Sequence, residues 1–65
     1  MSYDELTQAA RENVDHFLAD LPLEALDNAD VFYEEVYSLA HDGAMKAGAR
    51  AEQASIIAGY LRTQY

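Results

Sequence analysis

The 65-residue sequence predicts an all-α fold, a small antiparallel three-helix bundle, and three observations predict it. Alanine is the commonest residue while β-branched residues are few, which favours helix over sheet. Apolar residues recur at three- and four-residue steps rather than alternating. The periodic segments are separated by short breaks, so successive helices must double back on one another.

The first helix is expected over about 3–20. Leu6, Ala10, Val14, Phe17 and Leu21, flanked by Tyr3 and Leu18, make one apolar stripe. Ser2 followed three residues later by Glu5 is a capping-box spacing and sets the start at Tyr3. Pro22 sets the stop, because it disfavours helical geometry at Leu21 and has no N–H to donate. Residues 22–26 can form one short turn with proline in its favoured first position.

Asp27 or Asn28 then caps the second helix, expected over about 28–47, and Asp30 complements the positive end of its dipole. Phe32, Tyr33, Val36, Tyr37, Leu39 and Ala40 give it an apolar face. Gly43 and Gly48 are both C-terminal stop signals, and an end near Gly48 is favoured. The third helix, about 50–63, places Ala51, Ala54, Ala58, Leu61 and Tyr65 on one strip. No repeat, linker or low-complexity stretch divides the chain, so residues 1–65 form a single domain.

A domain this short buries roughly 60% of its unfolded surface and has a stability on the order of 3–10 kcal/mol. With no cysteine there is neither a disulfide nor a thiolate metal site to reinforce it. Neither a signal-peptide pattern at Met1–Leu6 nor a run of ~20 apolar residues is present, and a cytoplasmic protein is the expectation.

Charge narrows the partners. Twelve acids against Arg11, Lys46, Arg50 and Arg62 give a formal net charge of -8. So few cations cannot neutralise a phosphate backbone or an anionic bilayer, so direct binding of nucleic acid or membrane is excluded. The charge is also polarised. Nine acids and no lysine or arginine lie between Glu12 and Met45, leaving three acids and four bases elsewhere, about -9 against +1.

Within that stretch Glu12, Asp15, Asp20, Glu24, Asp27, Asp30, Glu34 and Glu35 are the candidate partner-binding residues, an acidic ridge bent at the corner between the first two helices. Rows of carboxylates resemble the phosphate track of a nucleic acid, with its charge every ~3.4 Å along a strand. The expectation is an inhibitor that docks the ridge on the basic nucleic-acid-binding surface of a target protein, a nucleic-acid mimic of the anti-CRISPR or anti-restriction type. The bland alternative for these acids is a solvated face, with Asp27 and Asp30 serving as cap and dipole partner.

A competing expectation is a non-enzymatic structural or regulatory subunit, antitoxin-like, that pairs as a homodimer or with a helical partner through Phe32, Tyr33, Tyr37, Ile56 and Tyr60. The apolar arc of the third helix spans about 220° on a wheel of 100° per residue, more than a bundle needs. Ile56 and Tyr60 therefore either fill the core or form a contact patch, and Ala51, Ala54 and Ala58 would permit close helix approach.

Catalytic and cofactor templates find nothing to match: no nucleophile motif, glycine-rich phosphate loop or zinc signature occurs. His16 has Glu12 and Asp20 one helical turn away and His41 adjoins Asp42, but two ligands on an exposed helix are too few for a metal. The acids lack the spacing of a calcium loop. A helix-turn-helix over 34–62 would offer only Arg50 and Arg62 for recognition, too little charge to grip DNA. No enzymatic activity, cofactor or metal is expected.

Overall fold

A computed structural model describes residues 2–65 and is all-helical: α1 Tyr3–Phe17, extended by a 3-10 turn Leu18–Asp20, then α2 Leu23–Asp27, α3 Ala29–Lys46 and α4 Ala51–Arg62. The three long helices run up, down and up, and α2 is a five-residue insert at the first corner. Helix α3 is the hub. It packs most extensively on α4 and nearly as extensively on α1, while α1 and α4 touch much less.

Local chemistry accounts for the element ends. Ser2 Oγ accepts from Glu5 N–H at 3.3 Å while the Glu5 carboxylate accepts from Ser2 N–H at 3.4 Å, the reciprocal capping box. Asn28, not Asp27, caps α3, its Oδ1 accepting from the N–H groups of Asp30 and Val31. At the other end Gly48 takes φ 105°, a conformation that L side chains resist. It lets Gly48 N–H reach Met45 O and Ala49 N–H reach Ala44 O, both at 3.0 Å, which is a Schellman cap sealed by two buried alanines. Gln53 Oε1 closes the start of α4 by accepting from Arg50 N–H at 2.9 Å.

Gly43 therefore does not end the helix; it lies inside α3 and is buried. A Cβ there would stand 2.6 Å from Asn13 Cβ and 3.0 Å from Ala10 Cα, so only glycine lets the α1 backbone come this close. Beside it Asn13 Nδ2 donates to Leu39 O at 2.7 Å, fixing the register of α1 on α3 by a side chain bound to main chain.

The core consists of Leu6, Ala10, Val14, Val36, Ala40, Ala44, Ala49, Ala54, Ile57, Ala58 and Leu61, with Leu18, Phe32, Tyr37, Leu39 and Tyr65 packed at its margin. Six of the eleven are alanine, which suits helices at the short end of the 8–10 Å axial spacing. The molecule accordingly measures 35 × 18 × 17 Å, room for a single layer of side chains between helices. Ala54 and Ala58 are fully buried here, so the alanine strip of the third helix is spent on the core and cannot also serve close self-association. Ala51, placed on that strip by its spacing, is exposed at the helix start.

Candidate functional site

No polar or charged side chain among the described residues is fully buried, so the core holds no nucleophile or titratable group. No cluster of three or more histidine, cysteine or acidic residues with metal-site geometry occurs among them. His16 makes an edge contact with the Phe17 ring at 4.7 Å, and His41 stacks on Tyr37 at 6.2 Å. The surface is where function must be sought.

Of the eight ridge acids, Glu12, Asp15, Asp20, Glu24, Asp27, Asp30 and Glu34 are exposed and Glu35 is half-buried. None forms an ion pair; among the described residues the one such pair joins Lys46 Nζ to Asp42 Oδ2 at 3.2 Å. The fold sorts seven of the eight into three settings, with Glu35 apart from them on α3. Glu12, which accepts from Gln8 Nε2 at 3.2 Å, lines the α1–α3 groove together with His16 and Lys46. Asp15 faces the C-terminal end, where Tyr65 Oη donates to its Oδ1 at 2.5 Å. Asp20, Glu24, Asp27 and Asp30 follow the corner, and Asp30 and Glu34 enter a recess of about 530 Å³ shared with Tyr33, Thr63 and Arg62.

The fold alters the acidity of Tyr65. Burial first, then the hydrogen bond and charge of Asp15, push its phenol up from 10.0 to about 12, against a smaller opposite pull from Arg11. Its neutral hydroxyl is thus a donor to Asp15 at ordinary pH, and Asp15, like Glu12 with Gln8, is already hydrogen-bonded within the molecule.

The apolar candidates divide as well. Phe32 and Tyr37 are half-buried against the core, and Tyr33 is 39% exposed beside them. Ile56 and Tyr60 stand one turn apart on the outer side of α4, 61% and 51% exposed, while Ile57 fills the core. The wide arc of that helix thus comprises a buried side and a separate outward pair. More exposed still are Leu23 at 79% and Leu26 at 65%, on α2 between the ridge acids. The sequence reading passed over these two; the signal was there in the shortness of a segment bounded by Pro22 and Asn28, which can turn only one of its faces inward.

Comparison with known families, characterised proteins and solved structures finds no match. No helix among the described residues is long and apolar enough to cross a membrane.

Proposed function

We propose that this protein is a non-catalytic interaction module that docks its acidic surface on a basic protein surface, and that the surface it occupies is one built for nucleic acid. The supporting observation is that seven of the eight ridge carboxylates are exposed and none of the eight forms an ion pair, across a stretch that contains no lysine or arginine. Unneutralised charge of one sign steers association with a complementary surface and makes it sensitive to salt. An inhibitor acting as a nucleic-acid mimic of the anti-CRISPR or anti-restriction type, in a cytoplasmic setting, is the fullest form of this reading. Its test is capture of binding proteins from cell extract on the immobilised chain. Retained proteins should elute between about 0.1 and 1 M salt, as the screening length falls from about 10 to 3 Å, and also with added duplex DNA. The quadruple change of Asp20, Glu24, Asp27 and Asp30 to lysine should retain nothing. Retention that survives both salt and substitution rejects the reading.

A second reading has its own observation. Ile56 and Tyr60 form an outward pair on the helix with the fewest acids, Glu52 alone, so a second copy or a neutral helical partner meets little repulsion there. This is the structural or regulatory subunit of the antitoxin-like kind. Sedimentation of the wild type against Ile56→Glu checks it: a dimer that dissociates on substitution supports pairing, and a monomer in both rejects self-association.

A further inference from the structure

The short helix α2 carries a feature that neither reading above uses. Main-chain hydrogen bonds close its two ends, Ala25 N–H to Pro22 O at 2.9 Å and Asn28 N–H to Glu24 O at 3.1 Å. Ala25 alone turns inward. Leu26 walls an open recess of about 430 Å³ with Ala25, Ala29, Phe32 and Tyr33, and Asp27 stands at its rim. Tyr33 also borders the neighbouring recess that contains Asp30 and Glu34. Tyr33 thus borders both an apolar hollow and one lined by Asp30, Glu34, Thr63 and Arg62, and exposed Leu23 and Glu24 lie on the same short helix as Leu26.

Charge decides which occupant fits. A second copy related by a two-fold axis would set Glu24, Asp27 and Asp30 against their own equivalents. An anionic lipid surface would be repelled in the same way. A helix with an apolar stripe and basic flanks meets both requirements, since groove-binding helices present anchors at three- and four-residue spacing and place their polar residues at the rim.

We propose that the α2 corner is a docking site for a basic amphipathic helix of a partner protein, which seats an apolar side chain in the Leu26–Phe32–Tyr33 recess and sets lysine or arginine against Glu24, Asp27 and Asp30. This deepens the acidic-docking reading and rests on it, adding an apolar anchor that a pure nucleic-acid mimic does not need. The test uses the whole chain and three synthetic helical peptides as probes: one with two leucines a turn apart and lysine flanks, one with those leucines replaced by serine, and one with the lysines replaced by glutamate. Binding is read by fluorescence anisotropy and by amide chemical-shift mapping.

The first peptide should bind and shift the amides of Ala25, Ala29, Phe32 and Tyr33. Loss of the leucines, or Leu26→Ser in the protein, should weaken it about tenfold or more, the scale of one apolar anchor, with unchanged circular dichroism. The glutamate peptide should not bind. Equal binding by the leucine and serine peptides, or shifts confined to Glu12 and Asp15, overturns the corner as a site yet leaves acidic docking standing. Binding by the glutamate peptide, or by none of the three, overturns both.

Discussion

Two junctions on the same hub helix are built on opposite terms. Where α1 crosses α3, Gly43, Ala10 and Asn13 leave no space at all, and a polar side chain is satisfied by Leu39 O inside the contact. Where α2 meets α3, only Ala25 is buried, and the larger Leu23 and Leu26 are left in solvent among carboxylates. The first junction spends small residues to bring backbones together. The second spends large ones where the fold gains little from them, and the contrast separates what holds the bundle from what is available to a partner.

Substitutions can break or sharpen that contrast. The largest effect is expected in the core shared by both, where Leu61→Ala removes a fully buried side chain and should cost about 2–5 kcal/mol. Against a total on the order of 3–10 kcal/mol, urea denaturation should show a large drop in midpoint or an unfolded chain. Gly43→Val should follow at about 1–3 kcal/mol by overpacking, since the added carbon collides with Asn13 and the Ala10 backbone. Asn13→Ala should cost about 0.5–1.5 kcal/mol by losing its interhelical bond. At the corner, Leu23→Ser and Leu26→Ser should each leave stability within about 0.5 kcal/mol of wild type. Equal losses at Leu26 and Asn13 would erase the distinction between the junctions.

The smallest effect concerns the thin contact between α1 and the end of the chain. Because the Tyr65 phenol is raised in the fold, its stabilising contribution is present below pH 10.0 and is lost as pH rises towards about 12. Phenolate absorbance should show a late tyrosine ionisation, which Tyr65→Phe should remove while flattening the alkaline fall in stability.

Features set by neighbours in sequence were legible without the fold. Ser2 with Glu5, Pro22, Asn28 and Gly48 each act on residues within six positions, and the helix ends follow from them. Gly43 could not be read that way, because its reason lies in Asn13 and Ala10, some thirty residues earlier, and a glycine looks alike as terminator or as crossing point. The same limit held for Ile56 and Ile57. Both lie on the wheel's wide arc, yet the fold buries Ile57 and leaves Ile56 exposed. For the acids the sequence gives sign and density, whereas their division into groove, corner and C-terminal end depends on Lys46, Arg62 and Tyr65 arriving from distant segments.

The four-residue link from Ala47 to Arg50 joins the two helices in most extensive contact, and its Schellman turn is closed by bonds back to Ala44 and Met45 in the last turns of α3. A hairpin closed by so short a loop forms early, since little chain entropy is lost before its contacts are gained. Helix α1 must then slide onto a preformed α3–α4 pair until Gly43 and Asn13 find register. Kinetically, substitutions at Ala54 or Ala58 should slow folding, whereas Gly43→Val and Asn13→Ala should chiefly hasten unfolding, a division that stopped-flow measurements would resolve.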